Sequence, residues 1–580
     1  MKLQDFLHHL QQRRRSLLDR LPANTPLAGQ LEAMDPALAL AAASLAALEL
    51  PRHPPQLVIL GPTQAGKSTL VNLVLGQTAA GVSPLAGFTI HPHGFLHQVT
   101  EPEIAWLDEY FSPYRHLSME ELPRDRYDCF TTKALGQTQT GLPSCVVWDT
   151  PDFDSLRAHH YRQSLMKTAA LADLLILVVS KDKYADHTVW ELLKLLEPLD
   201  QPMLVCLNKV NPGNQDTLLR SWREKWETHR RDTPPPTVLL PYLHDPQQLQ
   251  QQTTIILDQI APLWKQASRY DKKRQDRVNA LIRTHWSHWT APIRAEHEAR
   301  RRWNTLVEST LAQAIEIYRH DFLDHPIAYE TLQRALAELL ILLEIPGLAR
   351  PMSLFRKVLT WPLRTAFRRR STGRDEQIGE LLVLNRSVEH ALLQLQQALS
   401  QQRQQRQDPF SHWWLSLDTL YSRSSTDIRR DFLRDAETYY QDFQPQVEDA
   451  AHSLYRRLKD MPVTLNGLRA ARASADAAGL ALLVQTGGIG PHDLVLAPAM
   501  LSLTSWLSES ALGKYMDRVA AELKQRQLEA VKSLLRQRLE GTLLALPDKI
   551  DTEQCFSISS ETLEELERQI KGRRHGLKLF

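Results

Sequence analysis

The sequence predicts an α/β domain with a mostly parallel sheet and helices on both faces, followed by a large all-helical bundle. Three observations predict it. Short runs rich in Val, Ile and Leu alternate with helical stretches between residues 51 and 265. A glycine-bracketed loop, Gly61-Pro62-Thr63-Gln64-Ala65-Gly66-Lys67-Ser68, separates the first such run from a helix. From residue 266 to 580 apolar residues recur at spacings of three and four, the period of an amphipathic helix.

Composition sets the frame. The 580 residues are enough for several domains at about 150 residues each. Hydrophobic residues make up 43% of the chain and charged residues 23%, which supplies material for real cores. The net charge of +2 shows no strongly basic domain of the kind nucleic-acid binding requires, so nucleic acid is not expected as a partner. Cys129, Cys145, Cys206 and Cys555 show neither CxxC pairing nor metal spacing and read as reduced thiols of a cytosolic protein. The start, Met1-Lys2-Leu3-Gln4-Asp5, lacks the apolar core of a signal peptide. No uninterrupted apolar run reaches the roughly 20 residues that span a bilayer.

Residues 1–50 read as two helices expected to pack with the C-terminal bundle. The first carries Leu3, Phe6, Leu7, Leu10 and Leu17 and closes at Pro22 and Pro26. The second is the Ala/Leu-rich run 36–50, ended by Pro51, Pro54 and Pro55, since proline cannot continue a helix. Residues 57–60, 145–148, 174–179, 203–207 and 238–240 read as strands buried on both faces. The stretch 77–144 reads as a long loop. In the helical part, Trp303, Leu306, Val307, Leu311, Ala314, Ile315, Tyr318 and Phe322 make one apolar stripe. Ile378, Leu381, Asn385, Val388, Leu392, Leu395 and Leu399 follow a coiled-coil heptad with Asn385 as its polar member. Leu528, Val531, Leu535 and Leu539 continue the pattern. Packing inside the bundle is the expected use of these stripes.

The loop at 61–68 fills every fixed position of a P-loop, so residues 51–265 read as a P-loop nucleoside triphosphatase domain. Residues 57–60 deliver the loop as a strand. Gly61 and Gly66 let the backbone curl until its N–H groups face the phosphates. The helix that follows turns its positive pole to the anion. Lys67 is expected to reach the β- and γ-phosphates and the Ser68 hydroxyl to bind Mg²⁺. Pro62, Thr63, Gln64, Ala65 and Thr69 complete the cradle.

A second element, Val146-Val147-Trp148-Asp149-Thr150-Pro151-Asp152, ends a buried run in a carboxylate, as the far side of a Mg²⁺ site requires. It resembles the Asp-Thr-Pro-Gly motif of translation-factor-class GTPases, with Asp152 in place of the Gly. A third, Leu204-Val205-Cys206-Leu207-Asn208-Lys209-Val210-Asn211, resembles the Asn-Lys-x-Asp guanine motif. Asn208 and Lys209 match it, and Asn211 replaces the Asp. An Asp accepts from two guanine N–H donors, whereas an Asn sets one of its own donors against one of them. Guanine selectivity is therefore weakened, or another group compensates. The run from Ala172 through Ser180, then Asp186, 192–198 and 202–209, has the order and spacing of Era-like and dynamin-like GTPases. That resemblance covers residues 56–265. The helices on either side resemble a bacterial dynamin-like protein in architecture only.

The resemblance implies a GTPase that binds GTP and GDP, with Mg²⁺ held by Ser68, Asp149 and a switch threonine. Thr89, within 83–92, is the expected threonine, with Thr131 and Thr132 as rivals. Gln64 stands where many Era-like proteins carry an Asn associated with a monovalent cation, which makes K⁺ a second expected ion. Phe153 stands where Ras-like proteins place the Gln that orients water. Catalysis is thus assigned to Lys67, Gln64 and Thr89, slow until self-association or a partner orders switch I. His91, His93 and His97 read as polar loop residues rather than a metal set. Residues 13–15, Arg230 and Arg231 read as solvated faces or helix ends.

Two segments point to an anionic membrane surface. In 351–370, Met352, Phe355, Leu359, Leu363 and Phe367 lie among Arg356, Lys357, Arg364 and the arginines 368–370, a basic amphipathic pattern suited to the interface. In 477–507, Asp493 is the one formal charge, and Gly487, Gly488, Gly490 and Pro491 divide the run into halves of about 15 residues, each too short to span a bilayer. Packing inside the bundle is the competing reading of both. The expected protein is a cytoplasmic GTPase, peripheral at the inner face of the membrane and self-associating through its helical region. Two alternatives stay open: a soluble Era-like switch acting on the ribosome, RNA or a protein partner, and a helical interaction protein that binds nucleotide with little turnover.

Overall fold

The computed structural model describes residues 1–22, 25–82, 89–136, 140–154, 158–241, 246–270, 273–324, 329–343, 379–404, 411–467, 469, 512–551 and 555–572. The chain divides into two compact units, Met1–His297 with Thr552–Phe580, and Glu298–Asp551. Residues 1–50 lie in the first, sheet-containing unit.

The first unit is built on eight strands: β1 (Gln56–Leu60), β2 (His93–His97), β3 (Arg115–His116), β4 (Cys129–Ala134), β5 (Cys145–Asp149), β6 (Leu174–Ser180), β7 (Met203–Val210) and β8 (Thr237–Pro241). Their order is β3-β4-β2-β5-β1-β6-β7-β8. Every neighbouring pair is parallel except β2 with β5. The five apolar runs of the sequence are β1 and β5–β8. The stretch 77–144, expected as a loop, contains β2, β3 and β4. These were hard to read because β2 is His-Gly-Phe-Leu-His, β3 has two exposed residues, and β4 ends in exposed Lys133 and Ala134.

Helices α1 (Leu3–Leu18), α2 (Pro26–Leu48), α3 (Lys67–Leu75), α4 (Trp106–Phe111), α5 (Ala158–Leu171), α6 (His187–Leu196), α7 (Gln215–His229) and α8 (Pro246–Tyr270) cover the sheet, and α9 (Arg274–Tyr318) begins in this unit. Alternate strand residues feed two cores, as the two-residue period of a strand requires. Leu57 and Ile59 of β1 join Leu70, Val71 and Val74 of α3 and Ile256 and Ile260 of α8. Val58 and Leu60 face the other way, into the core of α1, α2, α5, α6 and α7. That core also takes in Val278, Leu281 and Ile282 of α9, and Leu563 and Leu566 of the C-terminal helix Ser560–Gly572. The N-terminal helices thus pack on the sheet as well as on helices from the end of the chain.

Helix α2 starts ten residues earlier than its Ala-rich run suggests. The Thr25 hydroxyl accepts from the Ala28 N–H at 3.3 Å, and Pro26 occupies the first turn, where its missing N–H costs nothing. Pro36, expected at the helix start, lies inside. By length and composition α2 is apolar enough to cross a bilayer. Here Leu31, Met34, Leu38, Leu40 and Ala41 are fully buried in the protein core. Two arginines read as solvated are buried instead. Arg14 pairs with Asp35, and Arg230 pairs with Asp232, donates to the Leu193 carbonyl at 2.6 Å and lies over the Trp226 ring.

The second unit is helical among its described residues. The end of α9 is joined by α10 (Glu330–Leu342), α11 (Gly379–Gln404), α12 (Ser411–Asp442), α13 (Gln444–Lys459) and α14 (Gly513–Leu534). Trp303, Val307, Leu311, Ala314, Tyr318 and Phe322 of the first stripe are buried, and Leu306 and Ile315 half-buried. Leu384, Val388, Leu392, Leu395 and Leu399 are buried along α11, which packs against α12. The polar member Asn385 accepts from Arg429 of α12 at 3.3 Å, and Arg429 also pairs with Glu389 at 3.0 Å. The heptad seam is therefore met within the chain. Residues 351–370 and 477–507 lie outside the described residues.

Candidate nucleotide site

Strand β1 is buried at all five positions and sits between β5 and β6, so the loop at its end opens at the middle of the sheet. Open parallel sheets place ligands at this position. Gly66 is left-handed, with φ +101°, and α3 begins at Lys67. A Cβ at Gly66 would collide with the Asn208 amide, and one at Gly61 with the Val178 carbonyl. Close approach requires both loop glycines, and the left-handed backbone requires Gly66 as well.

Lys67 is buried. Its Nζ donates to the Pro62 carbonyl at 3.3 Å and forms an ion pair with Asp152, which is also buried. Ser68 Oγ donates to Asp149 Oδ2 at 2.7 Å. Asp149 is 1% exposed and its Oδ1 has no hydrogen-bond partner. Burial pushes its carboxyl up to about 6, against the pull of Lys67 and the Ser68 hydrogen bond. A buried carboxylate oxygen without a partner is costly, and a hard cation would satisfy it. Mg²⁺ takes oxygen ligands and is held through one or two carboxylates plus phosphates. The Ser68 hydroxyl and the Asp149 carboxylate are the donor types that ion requires, so the residues present fit it.

The guanine-motif residues meet the same loop from the other side. Asn208 Nδ2 donates to the Ala65 carbonyl at 2.8 Å, while its Oδ1 accepts from the Lys209 N–H at 2.8 Å. A register shift in β7 between Asn208 and Val210 accompanies φ +60° at Lys209. Lys209 Nζ donates to the Gln64 carbonyl at 3.0 Å, and Gln64 is itself at φ +58°. Asn211 is exposed, and its carbonyl accepts from the Asn214 N–H at 3.1 Å. Its side chain makes no capping bond.

Two residues of this site escaped the sequence reading. Asp154 Oδ1 accepts from Thr63 N at 2.5 Å and Thr63 Oγ1 at 2.7 Å, and its Oδ2 accepts from Lys183 at 3.0 Å. Burial opposes ionisation of Asp154, but the Thr63 and Lys183 contacts outweigh it and hold the carboxyl below its ordinary value. Lys183 also pairs with Asp186 at 3.1 Å. The only sequence signal was an acid two residues past Asp152 and a lysine three residues before Asp186.

The remaining expectations are placed differently. Thr89 is buried, and among the described residues no hydrogen bond joins it to Ser68 or Asp149. Residues 83–88 of the expected switch lie outside the description. Thr131 and Thr132 are in β4. His93 of β2 faces both Asp149 and Thr131, which puts Thr131 two strand spacings, roughly 10 Å, from Asp149. Thr132 bonds His116 at 2.8 Å. His93 and His97 are strand residues, not loop residues. His91 bonds the Pro123 carbonyl at 2.8 Å and His97 the Leu142 carbonyl at 3.1 Å. Burial, with His91 beside it, brings the His93 imidazole down to about 4. Phe153 packs partly against the core.

Comparison with known proteins agrees with the geometry of the loop. Residues 56–209 match the family described as 50S ribosome-binding GTPase. Among curated proteins none matches the chain. Two solved structures, both described as an oligomerised bacterial dynamin pair that provides a mechanism for long-range sensing and tethering of membranes, align with 94% of this chain and 92% of theirs. Their identity is 12% and the TM-score 0.35. A glycine-bracketed loop on a central strand, a helix begun by Lys67 and Ser68, Asp149 on the adjacent strand, and the family match over 56–209 together make this region a P-loop GTPase domain similar to the 50S ribosome-binding GTPases.

Proposed function

We propose that the chain binds GTP and GDP with Mg²⁺, hydrolyses GTP slowly, and couples its nucleotide state to the helical unit at a membrane surface. The observation carrying the nucleotide part is the Ser68–Asp149 pair at the start of α3, with one Asp149 oxygen buried and unpartnered. Ser68 and Asp149 would hold Mg²⁺, which would offset the charge of the outer phosphates. Lys67 supplies the side-chain cation for the outer phosphates, and the first N–H groups of α3 supply donors at a helix N-terminus. Asn208 and Lys209 hold the loop carbonyls at Ala65 and Gln64, which keeps its N–H groups turned inward. Thr89 is the residue proposed to join Ser68 and Asp149 on Mg²⁺ when a triphosphate orders its segment. Phe153 has no polar atom to orient water, so turnover is slow until self-association or a partner supplies one. Gln64 is assigned to K⁺ beside the phosphates.

The base side is tested by competition binding and phosphate release with GTP and ATP, with Mg²⁺ present or chelated. GTP is expected to win modestly, and only the Mg²⁺ reactions should turn over. Asn211→Asp should raise GTP affinity about tenfold, because it restores a bidentate charged acceptor. ATP preference in the wild type, untouched by the substitution, would make the chain an ATPase.

The membrane part rests on the sequences of 351–370 and 477–507. A second reading has its own observation. The matched family is described as binding the 50S ribosome, which favours a soluble switch on that particle. Co-sedimentation with anionic liposomes, and separately with 50S subunits, decides between them. Binding to liposomes in at least one nucleotide state is expected, and capture by 50S subunits alone would replace the membrane reading.

A further inference from the structure

Asp152 and Asp154 fasten one short segment to the P-loop at two points. Asp152 takes Lys67, the cation at the mouth of the loop. Asp154 takes both the N–H and the hydroxyl of Thr63, and reaches Lys183 beyond β6. Lys67 and Asp152 are both buried, 5% and 7% exposed. A buried cation and carboxylate hold each other strongly, because either left alone carries a large desolvation cost. Lys67 in a P-loop serves the outer phosphates of a bound nucleotide. In this conformation that service is already taken by a protein carboxylate.

We propose that Asp152 is a specificity-determining residue that discriminates by phosphate number, disfavouring the nucleoside triphosphate relative to the diphosphate. The proposal rests on the nucleotide-site reading above. A third phosphate brings negative charge to the one buried cation that Asp152 holds. It enters by displacing the Asp152 carboxylate from Lys67, which leaves that carboxylate near like charge. A diphosphate adds less charge there, so more of the Lys67–Asp152 pair persists. Because Asp154 pins the same segment to Thr63 and Lys183, expulsion of Asp152 strains that second attachment. Triphosphate binding is thereby coupled to release of the segment after β5.

The test is equilibrium binding of fluorescent GDP and of a fluorescent non-hydrolysable GTP analogue to the full chain with Mg²⁺. Wild type, Asp152→Asn, Asp152→Gly and Lys67→Ala are compared. Asp152→Asn removes the competing charge at nearly constant shape. It should raise triphosphate affinity about ten- to a hundredfold, the scale expected when one close like charge is removed, and diphosphate affinity less than about threefold. Asp152→Gly, which also removes the side chain, should shift the ratio in the same direction, and it carries the test if Asp152→Asn fails to fold. An unchanged triphosphate-to-diphosphate ratio in both variants, with wild-type binding intact and abolished by Lys67→Ala, overturns the proposal and leaves the nucleotide site standing. Binding that survives Lys67→Ala overturns both.

Discussion

Gly66→Ala is expected to abolish nucleotide binding while leaving the fold in place. At φ +101° the residue sits where an L side chain is strained by about 1–2 kcal/mol. The new Cβ also collides with the Asn208 amide, the group that holds the Ala65 carbonyl at 2.8 Å, and a lost hydrogen bond of this kind is worth about 1 kcal/mol. Relief of the clash has to move either Asn208 or the start of α3, which carries Lys67 and Ser68. The expected result is at least a hundredfold loss of GTP affinity, corresponding to about 3 kcal/mol. Of the loop residues 61–66 only Ala65 joins the apolar core of the sheet, so thermal unfolding should shift by only a few degrees. Affinity within about threefold of wild type would show that the loop geometry described here is not the one that binds.

The largest stability effect is expected in the other unit, at Glu380→Ala. Glu380 is 1% exposed. Its Oε1 accepts from Tyr318 of α9 at 2.8 Å, Tyr439 of α12 at 2.9 Å and Gln527 of α14 at 2.7 Å. Gln527 in turn accepts from Tyr329 at 2.5 Å. One carboxylate oxygen thus joins α9, α11, α12 and α14. Its removal leaves two buried donors, Tyr318 and Gln527, and the half-buried Tyr439 without this acceptor, and about 3 kcal/mol is the expected loss, read as a lower denaturant midpoint. Glu380→Gln keeps an oxygen in place and should cost about 1 kcal/mol. Burial holds the Glu380 carboxyl above its ordinary range although three donors oppose that shift. The folded state therefore binds this proton more tightly than the unfolded chain. The contribution is full below the ordinary carboxylate range and declines as pH rises through the raised value. Glu380→Gln should flatten that decline. Equal stability of wild type and Glu380→Ala would contradict the hub.

The parts of the fold legible in the sequence were those where local pattern and tertiary role coincide. Strands β1, β5, β6 and β7 are buried on both faces, so they read as unbroken apolar runs. The P-loop was legible because each of its residues is fixed by backbone geometry or by charge. The heptad in α11 was legible because its partner α12 lies in the same chain. Strands β2–β4 were not, because two of the core positions in β2 are Gly94 and His97, and their burial depends on neighbours distant in sequence. In the sequence Asp152 is visible only as a replacement for the motif's glycine. Its hold on Lys67, and that of Asp154 on Thr63, depend on how the segment after β5 folds back over the loop, which no spacing in the sequence encodes. Arg14 and Arg230 illustrate the same limit, since a charged residue reads as solvated until its buried partner, Asp35 or Asp232, is placed beside it.

The most direct test is a calorimetric titration of the full chain with GTP, in Mg²⁺ and in EDTA, for wild type and Lys67→Ala. In the proposed reading Lys67 provides the buried cation, and Asp149 the unpartnered oxygen, for a Mg²⁺–triphosphate. Saturable binding in Mg²⁺, at least about tenfold weaker in EDTA and absent in folded Lys67→Ala, is the predicted result. Binding by Lys67→Ala that matches the wild type in Mg²⁺ would contradict it.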